Sequence, residues 1–319
     1  MTVTIHTGDC RDVMRTLPAQ SVHTCISSPP YFGLRDYGVD GQIGLESIHD
    51  CLGWATGERC GACFVCTLVD VYREVWRVLR DDGTCWVNLG DSYASTGGQS
   101  PQSGKLFKGR ARQRDNVCIS ARIRTPHIKP KNLMGMPWRV ALAMQADGWY
   151  LRQDIIWSKP NPMPESVRDR CTKAHEYLFL LSKSPKYYFD AAAIAEPASP
   201  NTHARLSQNV EAQIGSDRAH AGGKTNGRNK RSVWTVATKP YSEAHFATFP
   251  PALIEPCVLA GCPAGGIVLD HFGGSGTTGE VAESLGRNAI LIELNPSYAQ
   301  LADRRTQQGG ISFPAEATS

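Results

Sequence analysis

Short apolar runs alternating with helical patterns set the frame of this chain. Val3-Thr4-Ile5 alternates as a strand and runs into Gly8-Asp9-Cys10, and a helix over about 12–17 follows and stops at Pro18. Residues 22–27 read as a second strand. From about 67 to 79, Leu68, Val71, Tyr72, Val75, Val78 and Leu79 recur on one helical face, and Asp81-Asp82-Gly83 predicts the stop. Residues 84–89 read as a buried strand. A helix over about 133–146 and strands over 150–157 and 176–182 come next. The last block predicts a helix after Phe246, a strand over 266–269, a helix ending at Leu285, a strand over 289–292 and a final helix from Ser297. Strands alternating with helices predict an α/β fold, a doubly wound and mostly parallel sheet with helices on both faces.

Where the second strand ends, the chain reads Ser28-Pro29-Pro30-Tyr31. Two prolines can neither continue a strand nor donate backbone hydrogen bonds, so the chain must turn rigidly there. The result is a stiff corner with exposed carbonyls, one hydroxyl acceptor and one stacking ring. A strand-ending turn rarely needs all of these, and a functional site is the better reading.

A second strand end carries Asp270-His271-Phe272-Gly273-Gly274-Ser275-Gly276-Thr277-Thr278-Gly279 and then opens a helix. Gly274, Gly276 and Gly279 satisfy G-x-G-x-x-G, and Glu293 ends the next strand 23 residues after Asp270. Strand, glycine turn, helix, strand and acid together form a nucleoside-cofactor signature in which the acid can take both ribose hydroxyls. Dinucleotides and S-adenosyl-L-methionine both fit this pattern. The latter is favoured because Asp270 would repel a pyrophosphate but suits a cationic amino-acid end. No Walker lysine follows, and only about 40 residues remain for further sheet.

Charge changes the picture once it is divided. Nine Lys/Arg stand against one Asp in residues 92–131, a net of +8, and seven against two acids in 198–240, a net of +5. The rest of a chain of net charge +4 is therefore left at −9. Basic, poorly periodic stretches on an acidic body predict a polyanion partner, most simply nucleic acid. With 41% hydrophobic and 20% charged residues the composition is that of a globular protein. No run of 18 apolar residues and no leader-like N-terminus is present, which predicts a cytosolic protein with no membrane partner.

Most of the eleven cysteines are scattered among apolar neighbours and read as core. Cys51, Cys60, Cys63 and Cys66 differ, with two adjoining C-x2-C steps beside His49. That spacing suits structural zinc. An iron–sulfur cluster and plain reduced thiols are the competing readings.

Taken together, Gly8-Asp9, Ser28-Pro29-Pro30-Tyr31, Asp82-Gly83-Thr84 to Gly90-Asp91-Ser92, Phe249-Pro250 and the loop from Asp270 to Gly279 resemble the amino-methylating DNA methyltransferases. The proline motif precedes the cofactor loop, as in the permuted group called the β class. The resemblance spans residues 4–304 apart from the basic and cysteine segments. It implies one catalytic domain over 1–319, built on a seven-stranded methyltransferase sheet. Its inserts are the cysteine segment 49–66, the basic loop 92–131 and a target-recognition region at 190–240.

The resemblance also implies roles. Asp270, Phe272, Gly274, Gly276, Thr277 and Thr278 would line the methionine end of S-adenosyl-L-methionine. Glu293 would bind the ribose, Asp9 the adenine amino group, and Phe249-Pro250 would close the pocket, with Cys10, Ser275 and Asn295 as further cofactor contacts. Ser28, Pro29, Pro30 and Tyr31 would be catalytic toward a flipped base. Ser at the first position is typical of N4-cytosine enzymes, whereas Asp or Asn is typical of N6-adenine enzymes. Double-stranded DNA is the expected partner, with Arg35, Lys224, Arg228, Lys230 and Arg231 as its contacts, and a homodimer the expected assembly. The expected setting is a prokaryotic or phage-infected cytoplasm. A nucleotide-dependent oxidoreductase shares the glycine loop but leaves the proline corner and basic stretches unexplained.

Overall fold

The computed structural model describes residues 1–34, 38–46, 59–94, 128–197, 227–238 and 249–309. Arg35, Cys51 and Lys224 lie outside them, as do most of the two basic stretches. Among the described residues, eight strands form one sheet: β1 (Val3–Thr7), β2 (Val22–Ser27), β3 (Leu79–Leu89), β4 (Tyr150–Ser158), β5 (His175–Ser182), β6 (Val233–Thr235), β7 (Ile267–Asp270) and β8 (Asn288–Glu293). The helices that cover it are α1 (Cys10–Thr16), α2 (Phe64–Val78), α3 (Met136–Ala146), α4 (Pro251–Gly261), α5 (Thr277–Ser284) and α6 (Pro296–Gly309).

The strand order is β1-β8-β7-β2-β3-β5-β4-β6. β5 runs antiparallel to both its neighbours, and every other pairing is parallel. The doubly wound, mostly parallel expectation therefore holds, with one strand more than the seven expected. The extra strand, β6, adds parallel to the edge of β4 through three residues inside a stretch too polar for a strand pattern.

Covering helices explain why β2 and β3 read as continuous apolar runs. Two cores lie on the two faces. One holds Met14, Leu68, Tyr72, Val75, Val87 and Met144, the other Ile26, Trp86, Leu253, Val258, Val268 and Leu291. A sheet buried on both sides has no polar face to alternate.

Two element boundaries differ from expectation. α2 starts at Phe64 because Cys63 caps it. It ends at Val78, and Asp81-Asp82-Gly83 lies inside β3 where a turn was expected. The backbone passes straight from helix into strand, and an irregular pairing between β2 and β3 absorbs the polar residues. A Cβ on Gly83 would stand 2.9 Å from the His23 carbonyl oxygen, so only glycine lets this part of the strand close on β2. No helix among the described residues is long and apolar enough to cross a membrane.

Candidate active site

Chain direction reverses its walk across the sheet between β7 and β2. From β2 the chain moves through α2 to β3; from β7 it moves through α5 to β8 on the other side. Such a switch point opens a crevice beyond the carboxyl ends of the strands. β2 and β7 are paired neighbours, Thr24 opposite Val268 and Cys25 opposite Leu269. The Ser28 corner and the Asp270 loop therefore leave adjacent strands at the same end, although about 240 residues separate them in sequence.

The glycine loop is tightly built. Asp270 is fully buried and accepts from the Thr278 hydroxyl at 2.5 Å and from the Phe272 amide at 3.1 Å. Burial pushes its carboxyl up to about 6, against those two hydrogen bonds. Gly276 has φ +84 and caps α5, and a Cβ there would stand 2.9 Å from Ala302 Cα on α6. Glu293 accepts from the Gly274 amide at 2.8 Å with one oxygen and from the Asn295 amide at 2.8 Å with the other. Burial raises its carboxyl as well.

The Gly8 amide donates to the Glu293 carbonyl at 3.0 Å, which brings Asp9 to the same rim. Asp9 caps α1 and is held low by a forked pair with Arg11 at 2.6 and 3.0 Å. Cys10 is buried at the start of α1, and burial pushes its thiol up to about 12. Phe249 and Pro250 lead into α4, Phe249 packing against the second of the two cores.

The proline corner is held by residues that the sequence did not single out. Ser28 Oγ donates to Asn88 Oδ1 at 3.4 Å, and the Tyr31 hydroxyl reaches the same oxygen at 3.1 Å and Glu176 Oε2 at 2.5 Å. Asn88 Nδ2 donates to Glu176 Oε2 at 3.3 Å and to the Tyr177 carbonyl at 3.1 Å. Lys159 completes the group by pairing with Glu176 while its ammonium stands 4.2 Å from the centre of the Trp157 ring.

Asn88 comes from β3, Glu176 from β5 and Lys159 from the end of β4, three strands adjacent in the sheet. Lys173, just before β5, has its Nζ buried with no hydrogen-bond partner among the described residues. Burial pulls its ammonium down, opposed chiefly by Asp91 and then Glu176. Glu176, which holds Tyr31, is thus paired with Lys159 and also acts on the buried Lys173 ammonium. The one legible signal was a glutamate and two lysines flanking an apolar strand and a proline-rich loop.

Tyr31 rests on glycine. A Cβ on Gly90 would lie 2.6 Å from its Cε2 and 3.0 Å from its Cδ2. Gly90→Ala should therefore tilt the ring out of place and lower turnover roughly tenfold, with a stability change of no more than about 1–2 kcal/mol. Steady-state kinetics beside thermal unfolding checks it; unchanged turnover would dissociate the ring's seat from activity.

The described basic residues of the second stretch are less free than their charge suggests. Arg228 and Arg231 both pair with Glu196, at 3.1 and 3.0 Å, and Lys230 stands 5.0 Å from the Trp234 ring centre. They sit beside the edge strand β6, on the side of the sheet where β4 and β5 carry Lys159 and Glu176.

A family model described as DNA methylase, for N6 and N4 enzymes, matches residues 22–304. The chain is 47% identical over 300 residues to the Type II methyltransferase M.SmaI of Serratia marcescens, covering 93% of this chain and 88% of that one. It is 46% identical over 305 residues to the Type II methyltransferase M.Cfr9I of Citrobacter freundii, covering 95% and 87%. Among solved structures, the PvuII DNA methyltransferase (cytosine-N4-specific) superposes with a TM-score of 0.63 at 19% identity, over 98% of this chain and 89% of that one. A putative DNA modification methylase from Thermus thermophilus, solved with S-adenosyl-L-methionine, superposes with a TM-score of 0.56 at 22% identity over 98% of both chains. The structures share the fold; the family match and the sequence identities carry the identification: this chain belongs to the DNA methylase family.

Proposed function

We propose that the protein is a site-specific DNA methyltransferase of the permuted β class that transfers a methyl group from S-adenosyl-L-methionine to N4 of a cytosine flipped from double-stranded DNA. The observation that carries this reading is the Ser28 hydroxyl, fixed by Asn88 at the strand end beside the Asp270 loop. The Type II methyltransferase names of its relatives support a restriction–modification setting in a prokaryotic or phage-infected cytoplasm. A homodimer is part of the proposal, and a monomeric sedimentation coefficient with cofactor and DNA present would remove it.

The loop fits this cofactor. Gly274 leaves the backbone bare, with only the Phe272 carbonyl oxygen at 3.8 Å from a Cβ there, Asp270 offers a buried carboxyl to a cationic amino-acid end, and each Glu293 oxygen keeps a lone pair for a ribose hydroxyl. Thr277, Thr278, Ser275, Gly274 and Phe272 complete the methionine side, with Asn295, Asp9 and Cys10 toward the ribose and adenine and Phe249-Pro250 as the wall. When bound, the cofactor supplies an electrophilic methyl group on a sulfonium.

The corner supplies the rest. An exocyclic amino nitrogen is a poor nucleophile because its lone pair is conjugated into the base. Ser28 donates its own proton to Asn88, so its lone pairs face outward as acceptors. With the Pro29 carbonyl they can hold both amino hydrogens and favour the pyramidal nitrogen. Pro29 and Pro30 hold these acceptors in place, so little reorganisation is needed at the moment of reaction. Tyr31, pinned by Asn88 and Glu176, offers its ring as the stacking surface for the base.

Incubation with labelled S-adenosyl-L-methionine and mixed-sequence DNA, followed by nucleoside mass spectrometry, tests the whole reading. N4-methylcytosine is expected. N6-methyladenine would transfer the reading to adenine, and absence of label from purified, cofactor-binding protein would overturn it.

Two further results are expected. The folded-state pKa of Asp270, about 6, lies above its ordinary 3.8. Its contribution to stability is therefore largest below pH 3.8 and is lost as pH rises through about 6, by at most about 3 kcal/mol. Asp270→Asn should remove that slope in denaturant titrations at pH 5 and 7. Cofactor affinity should rise over the same interval, because only the carboxylate attracts a cation. Second, neutralising Lys230 and Arg231 together should weaken DNA binding and reduce the salt slope by about 2. An unchanged slope would take both residues off the interface.

A further inference from the structure

The head of α2 plays no part in the chemistry above. Cys63 caps the helix, its Sγ accepting from the Cys66 amide at 3.5 Å. Cys63 and Cys66 are buried and Cys60 is exposed. The three Sγ atoms all lie within 4.8 Å of one another, and those of Cys60 and Cys66 are 3.8 Å apart.

Sulfurs approach this closely for few reasons. A disulfide needs about 2 Å between them. Thiolates at the corners of a zinc tetrahedron, each about 2.3 Å from the ion, stand about 3.8 Å apart. The Cys60–Cys66 separation matches an edge of such a tetrahedron, and although an S–H···S contact reaches the same distance, it does not by itself gather a third sulfur within 4.8 Å of both. The position helps too: the first turn of α2 contains no acidic side chain, so its positive dipole end favours thiolates at Cys63 and Cys66 without a competing anion in that turn.

We propose that Cys60, Cys63 and Cys66 hold a structural zinc ion, each thiol giving its proton to solvent as its sulfur binds. One further ligand completes the tetrahedron; nothing in the proposal depends on which. The site has a clear mechanical role. Phe64, between two of the ligands, packs on Phe32 with ring centres 5.3 Å apart and an angle of 57°. Phe32 directly follows Tyr31 of the proline corner and is buried. Fixing the first turn of α2 thus braces the exit of that corner from behind. This is an assignment of metal and structure, and it stands whether or not the base is cytosine.

The full chain, purified under reducing conditions from zinc-supplemented culture, should retain about one zinc per molecule by elemental analysis. Exchange into Co2+ should give thiolate-to-metal charge-transfer bands in the near ultraviolet with strong visible bands of tetrahedral cobalt. Cys60→Ser leaves the helix cap and core untouched, and should lose zinc to a competing chelator at roughly hundredfold lower chelator concentration. Metal-free protein without charge-transfer bands on cobalt addition would overturn the site. So would iron and a visible chromophore after anaerobic purification, or a Cys60→Ser protein that holds zinc as tightly as the parent.

Discussion

Ser28→Ala is expected to lower the rate of methyl transfer about 100- to 1,000-fold while leaving cofactor affinity within about twofold. The hydroxyl does not contribute to the packing of β2 against its neighbours; its one hydrogen bond among the described residues runs to Asn88. In the proposed mechanism it offers an acceptor already aimed, whose worth appears only when the amino nitrogen pyramidalises. Loss should therefore fall on kcat, and on kcat/KM for DNA by the same factor. Single-turnover kinetics with labelled cofactor, beside equilibrium titration of cofactor, separates the two. Equal losses in both would mean that Ser28 serves binding and not the transition state. Asn88→Ala should reproduce a large part of the effect, because a Ser28 hydroxyl without that partner is free to rotate and spend a lone pair elsewhere.

Gly276→Ala is expected to be the most damaging substitution in the cofactor loop. Two costs combine there. At φ +84 a Cβ is strained, at about 1–2 kcal/mol, and the same Cβ would stand 2.9 Å from both Cα and Cβ of Ala302. Backbone cannot yield as a flexible side chain would, so α5 and α6 must separate. Arg305 on α6 joins them through Glu280, Thr277 and Ser275, and that network would move with the helices. An unfolding free energy lower by about 3 kcal/mol is expected, with cofactor affinity reduced roughly a hundredfold. Gly274→Ala is the control: its φ is +51, but only a carbonyl oxygen at 3.8 Å approaches its Cβ position, so it should show the strain without the clash. Similar losses in the two variants would shift the cause from helix packing to backbone strain.

How far the site could be read in advance follows from the kind of information each part carries. The alternation of strands and helices emerged from periodicity, because burial on one face or two leaves its mark residue by residue. The proline corner and the glycine loop were legible for a similar reason: they are properties of a few consecutive residues, a fixed φ or an absent Cβ. The Asp81-Asp82-Gly83 stretch misled for the complementary reason. Its turn-like composition is local, but pairing with β2 across an irregular register made it strand.

The cations of the second basic stretch show the same limit. Their number was plain, yet the sharing of Glu196 by Arg228 and Arg231 depends on residues more than 30 positions apart.

By itself, then, the sequence determined the fold class, the two motifs and their order along the chain, since all of these are written in neighbouring residues. The tertiary structure decided how those motifs are placed together. Pairing of β2 with β7 sets the hydroxyl of Ser28 beside the Asp270 loop, and adjacency of β3, β5 and β4 brings Asn88, Glu176 and Lys159 behind it. Those partners come from strands whose order in space is not their order in the chain. Hydrogen bonds between them depend on a register that no short stretch of residues encodes.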